Sequence, residues 1–154
     1  MAIFDFINMR EISPIKNFWK LDRDDIPECP GAYILIARKD TSFIYPKGKS
    51  PIFYIGQSKN LRRRLRFHLK TAEEARDTRE NYYVYSPVYE YAAKYASRYC
   101  YIKAWQNMSP RALEGDVMGR FAIKYRSPPV ANGAGSWDRI SKIIDEIEKI
   151  GKKG

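Results

Sequence analysis

The sequence predicts an α+β domain, a small three-stranded antiparallel sheet flanked by helices. Two near-continuous apolar runs rich in β-formers, 31–38 (GAYILIAR) and 52–56 (IFYIG), suit strands buried on both faces. A third run, 98–105 (RYCYIKAW), alternates as a strand does. Stretches of helical periodicity lie between and after these runs. The order strand, strand, helix, helix, strand, helix, helix is that of a sheet covered by helices.

Each element has its own signal. Residues 26–31 (IPECPG) read as a turn, because two prolines and a glycine interrupt any periodicity. The polar stretch 39–51, with Pro46 and Gly48, is expected to be a long hairpin loop. Asn60 or Ser58 can cap a helix through 59–70, with Leu61, Leu65 and Leu69 as its spine. A second helix over 86–95 would set Val88, Tyr91, Ala92 and Tyr95 on one side. Ser109 followed by Pro110 is an N-cap with proline at the first helical position. That helix should continue to about Tyr125 and stop before Pro128 and Pro129. A last helix over 137–150 carries Ile140, Ile143, Ile144, Ile147 and Ile150 at helical spacing and reads as structural. The expected organisation is an arm (1–25), a domain (26–133) and a C-terminal helix packed on it (134–154).

Composition narrows the function. The 154 residues are 44% hydrophobic and 30% charged, enough for one domain with a core. Twenty-eight Lys and Arg against 18 Asp and Glu give a net charge of +10, which points to a polyanionic partner, nucleic acid first. The longest apolar run, Ala32 to Ala37, is six residues, too short for a bilayer, so no membrane role is expected. The beginning, MAIFDFINMREIS, lacks a basic leader, so no secretory signal is expected. Cys29 and Cys100 have no CxxC partner, which fits reduced thiols in the cytoplasm. One histidine and two scattered cysteines disfavour structural zinc and any nuclease whose metal needs several imidazoles.

The chemistry-bearing residues cluster. The 59–70 helix holds Lys59, Arg62, Arg63, Arg64, Arg66 and Lys70 and no acid. Such a run is ordinarily a solvated face. Here it begins just after a strand ending in Gly56, so free amides at the helix N-terminus would face the end of the sheet, a natural phosphate site. Arg64 and His68, four apart, share a helix side beside the leucine spine. Glu114 lies on the apolar stripe of its helix, with Val117, Met118, Phe121 and Tyr125 at +3, +4, +7 and +11. A carboxylate there must be paired, protonated or bound to a cation. A salt bridge to an arginine of the basic helix is the plain alternative. The eight tyrosines between Tyr82 and Tyr101 could stack on bases, although such stripes are more often core. Gly48-Lys49-Ser50 lacks the earlier glycine of a P-loop, and no serine has a GxSxG context.

Taken in order, these motifs resemble the GIY-YIG nuclease superfamily. The resemblance rests on IPECPGAYIL with Gly31-Ala32-Tyr33, on Tyr54-Ile55-Gly56, and on QSKNLRRRLRFHL with Arg64. It continues in Leu113-Glu114 followed by Val117, Met118 and Phe121, and in SPPVANG with Asn132. It spans about two thirds of the chain, residues 26–133. The resemblance implies that Tyr33 and Tyr54 floor an active site, with Gly31 and Gly56 beside them, and that Arg64 holds the scissile phosphate. It implies Glu114 as ligand of one divalent ion, Mg²⁺ or Mn²⁺, and Asn132 as a supporting polar group. His68, four beyond Arg64, resembles the arginine-x-x-x-histidine variant of restriction-type members, its alternative role being a surface or capping histidine.

These residue types suit phosphodiester hydrolysis. Mg²⁺ keeps several waters and commonly takes one or two carboxylates, so a single Glu114 suffices. Arg64 offers fixed donors to non-bridging oxygens. Tyr33, Tyr54 or His68 would supply the base, while Lys59, Arg62, Arg63, Arg66 and Lys70 hold flanking phosphates. The expected function is a metal-dependent endonuclease acting on double-stranded DNA. The alternatives are a silent nucleic-acid-binding module on the same fold and a protein-interaction scaffold. If one site cuts one strand, a symmetric double break calls for a homodimer.

Overall fold

A strand flanked by partners on both edges and covered on both faces must be apolar throughout, and 31–37 is that strand. In the computed structural model, residues 12–77, 87–104 and 108–132 are described, with Phe4, Phe6, Ile144, Asp145, Glu148 and Lys149. Its elements are β1 (Lys16–Asn17), a 3-10 turn (Arg23–Asp25), β2 (Gly31–Ala37), β3 (Phe43–Tyr45), β4 (Gly48–Ser50) and β5 (Ile52–Ser58). Then come α1 (Leu61–Asp77), α2 (Pro87–Tyr95), β6 (Ala96–Lys103), α3 (Pro110–Tyr125) and a 3-10 turn (Val130–Asn132). All seven residues of β2 are buried.

The antiparallel sheet has four strands in the order β1-β6-β2-β5, where three were expected. The three anticipated strands are β2, β5 and β6. The fourth comes from the expected N-terminal arm: two exposed residues pair with Arg98 and Tyr99. A pair of exposed polar residues carries no periodicity, so the sequence gives no warning of it. The arm is anchored further by the bridge of Ile12 to Ile102, by buried Phe18, and by Trp19 Nε1, which donates to the Ala96 carbonyl at 2.7 Å. The expected 39–51 loop contains a second, two-stranded sheet of β3 and β4.

Alternation along β2 separates two cores. Ala32, Ile34 and Ile36 meet Leu113, Val117, Met118 and Phe121 of α3 on one face. Tyr33, Leu35 and Ala37 meet Leu61, Leu65 and Ala72 of α1 and Val88 and Ala92 of α2 on the other. Along β5 the pairing runs Tyr33 with Gly56 and Leu35 with Tyr54, then slips so that Ile36 faces Ile52. The extra residue, Phe53, forms a bulge, and both Phe53 and Tyr54 pack toward α1 and α2.

The helices begin and end where local chemistry directs. Asn60 Oδ1 accepts from the Arg63 amide at 3.1 Å and caps α1. Ser109 Oγ accepts from the Ala112 amide and caps α3, which ends in the left-handed residue Arg126 (φ 59°) before the two prolines. On α1 the buried stripe is Leu61, Leu65, His68, Ala72 and Ala75, with Leu69 only half-buried. A row taken every fourth residue drifts by some 40° per step around a 3.6-residue helix, so the stripe passes from Leu65 to His68. The helix expected over 137–150 lies for the most part outside the described residues, although Ile144 packs against the α3 core. Among the described residues no helix is long and apolar enough to cross a membrane.

Candidate active site

Three rings from distant parts of the chain meet on the α1 side of the sheet. Tyr33 projects from β2 and Tyr54 from β5, their ring centroids 6.0 Å apart. His68 descends from α1 to within 5.1 Å of the Tyr33 ring and 5.8 Å of the Tyr54 ring. Tyr33 Oη and His68 Nε2 share a buried hydrogen bond of 2.6 Å. Gly56 makes this arrangement possible: a Cβ there would collide with Cζ and Oη of Tyr33 and come within 2.8 Å of Tyr54 Cε2. Gly31 serves at the neighbouring position, where a Cβ would strike the Ile102 carbonyl and lie 2.7 Å from Leu61 Cδ1.

Burial divides the trio. Tyr33 is 2% exposed and His68 1%, whereas Tyr54 is half-buried. His68 is therefore neither a surface nor a capping residue. Burial, followed by the nearby charge of Arg64, pushes its pKa down to about 3, so the imidazole is neutral at neutral pH. A neutral imidazole can hold the Tyr33 oxygen by hydrogen bond without adding a charge to the interior.

Arg64 sits one helical turn before His68 and is exposed. With Lys59, Arg63, Arg66 and Lys70 it lines an open cleft of about 960 Å³ along the outer side of α1. Arg62 also borders this cleft, but its guanidinium faces protein: Nε donates to the Ile26 carbonyl and Nη1 to Glu28 Oε1, each at 2.8 Å. It fastens the 26–31 turn to α1. The expected phosphate site at the start of α1 is closed for a related reason. The Leu61 amide donates to the Cys29 carbonyl, the Arg62 amide to the Pro27 carbonyl and the Arg63 amide to Asn60 Oδ1. Amides already bonded to backbone and cap have nothing left for an anion.

Asn132 is a clamp on β5. Its Oδ1 accepts from the Ile55 amide at 3.0 Å and its Nδ2 donates to the Ile55 carbonyl at 2.7 Å, pairing both outward groups of this edge strand. It thereby fixes the backbone beside Tyr54. Glu114 is half-buried near the start of α3, the helix on the opposite face of the sheet. The chain leaves β6 at Lys103, opposite Gly31, and α3 ends near Gly48. The helix that carries Glu114, α3, therefore begins toward the Gly31 end of the sheet and packs on the face opposite α1. Among the described residues no three His, Cys, Asp or Glu gather to hold a metal ion.

Two features had weak sequence signals. Phe67 is 49% exposed within the basic cleft, and its only mark was an aromatic residue off the leucine spine amid cations. The Glu28 and Arg62 pair joins segments 34 residues apart, which no local pattern reveals. Of the tyrosine-rich stretch, residues 78–86 lie outside the described residues, while Tyr91 and Tyr95 pack with Phe43 and Phe53 as core. No family model matches this sequence, and neither the curated proteins nor the solved structures yielded a match.

Proposed function

We propose that this protein is a divalent-metal-dependent endonuclease that hydrolyses DNA phosphodiester bonds, on a GIY-YIG-like plan of the restriction type. The observation that carries the reading is the buried bond between Tyr33 Oη and His68 Nε2, one turn from an exposed arginine. It joins two groups capable of proton transfer across 35 residues of sequence. Tyr33 acts as general base, with His68 as the positioning residue that holds its oxygen. At 2% exposure Tyr33 serves a water bound in the site, not bulk solvent. A phenol must be ionised to take a proton, and positive charge brought close to it favours that form. The water oxygen then attacks phosphorus, its proton passes to the Tyr33 oxygen, and the bond to the leaving sugar oxygen breaks, that oxygen taking a proton from solvent. Arg64 neutralises the non-bridging oxygens.

A single half-buried carboxylate suits a hard cation that retains waters and accepts substrate oxygens. Glu114, near the start of α3, would hold that ion. When bound, Mg²⁺ or Mn²⁺ supplies charge neutralisation and a more acidic water.

Incubation with plasmid DNA in Mg²⁺ or Mn²⁺, against EDTA, tests the reading. Glu114→Ala and Arg64→Ala should each lower cleavage by about 10²-fold or more, with DNA binding by Glu114→Ala retained. Metal-independent cutting, or full activity of Glu114→Ala, would remove Glu114 from its role. One observation favours a second reading, a silent DNA-binding module: the basic cleft is lined by neither Tyr33, His68 nor Glu114. Tight plasmid binding without cleavage in either metal would select it.

A further inference from the structure

Between 61 and 70 every charged residue of α1 is cationic and the exposed Phe67 sits among them; acids enter only in its last turns, with Glu73, Glu74 and Asp77. Of the four neighbours of Phe67 three and four positions away, Arg63, Arg64 and Lys70 line the same cleft and Thr71 is buried. The buried stripe of α1 runs through Leu61, Leu65, His68, Thr71, Ala72 and Ala75, and Phe67 lies outside it, 49% exposed. Helix propensity does not favour an aromatic at this position, since phenylalanine is a middling helix former. Of the four large hydrophobics exposed among the described residues, Ile15, Ile44, Phe67 and Val130, Phe67 alone is aromatic.

Position adds a geometric argument. Arg63 and Lys70 are seven residues apart, about 10 Å along the helix axis, and Phe67 lies between them. A strand whose phosphates these two cations neutralise must carry a base past the ring. Aromatic rings stack on any base, but in continuous duplex the base faces are already covered by their neighbours. A ring in this position therefore gains most from DNA whose bases are unstacked.

We propose that Phe67 stacks on a nucleobase in this cleft, so that the protein binds DNA containing an opened or unpaired step more tightly than continuous duplex. This rests on the cleft's binding DNA, and not on cleavage. Fluorescence anisotropy in EDTA, with labelled duplex and the same duplex carrying a short central bubble, tests it. The native chain should bind the bubbled DNA about five-fold or more tightly than the duplex. Phe67→Ala should bring the two affinities within about two-fold, by weakening bubble binding alone and leaving the salt dependence on duplex unchanged. Phe67→Trp should keep the preference. A 2-aminopurine placed in the bubble should be quenched by the native chain and not by Phe67→Ala.

Equal native affinity for the two DNAs overturns the proposal, as does an equal loss on both in Phe67→Ala, which would mean that the ring merely supports the arginines. If either result appears while Mg²⁺-dependent cleavage persists, the nuclease reading survives without the stacking. A preserved preference in a chain that never cuts leaves the stacking and removes the nuclease. No binding to any DNA at low salt overturns both.

Discussion

The two sides of α1 are built from the same 17 residues and work in opposite ways. The inner side is buried: Leu61, Leu65, Thr71, Ala72 and Ala75 share it with His68, whose imidazole is held neutral against Tyr33. The outer side is wet and carries Arg63, Arg64, Arg66 and Lys70 around Phe67. Exposed charges act through screened, additive Coulomb attraction and are tolerant of exact position. A buried hydrogen bond acts through geometry and fails when one partner is lost. The difference teaches that charge density marks where a polyanion can bind, whereas burial marks where proton chemistry can be held in place.

The sharpest test of that contrast is Tyr33→Phe. It should reduce cleavage by about 10²- to 10⁴-fold, the usual worth of a positioned base, while DNA affinity stays within about two-fold. His68 Nε2 loses its bond to Tyr33, so urea denaturation should show a loss of about 1–3 kcal/mol. Wild-type cleavage by Tyr33→Phe would reduce the pair to a packing contact.

Acid should weaken the inner side next. Folding lowers the His68 pKa to about 3 from the usual 6.5, so between these values the unfolded chain binds a proton that the folded chain does not. This contribution to stability is fully present above about pH 6.5. It falls as the pH drops toward 3, by at most about 1.4 kcal/mol per pH unit. Because His68 is the one histidine of the chain, its ring signals in a proton NMR titration are unambiguous. They should not move between pH 5 and 8, and a midpoint near 6.5 would contradict the buried inner face.

The smallest effects belong outside. Arg63→Ala and Lys70→Ala should each weaken duplex binding modestly and reduce the slope of log affinity against log salt by about one. Stability should stay within about 0.5 kcal/mol of the native chain. A large stability loss in either would show that the outer face is built into the fold after all, as Arg62 is.

Much of this architecture was legible because it is local. The apolar runs of β2 and β5, the Asn60 cap of α1 and the Ser109-Pro110 start of α3 each announce themselves within a few residues. The C-terminal boundary of α1 was less so, since the helix reaches Asp77, and β6 begins at Ala96 directly after α2. The edge strand β1 and the β3–β4 hairpin escaped notice because strands of two or three residues leave too little pattern to read.

The candidate site divides along the same line. The sequence by itself determined which side chains carry protons and charge, namely two tyrosines, a lone histidine, an arginine-rich helix and an acid on an apolar stripe. It also determined the net positive field, because charge adds whatever the fold. Only the tertiary structure decided that His68 turns inward to Tyr33, that Arg62 and the first amides of α1 are held by the 26–31 turn, and that α3, which carries Glu114, packs on the face of the sheet opposite α1. These are contacts between segments far apart in the chain, and they depend on strand register and helix rotation, which local periodicity fixes too loosely to place a single hydrogen bond.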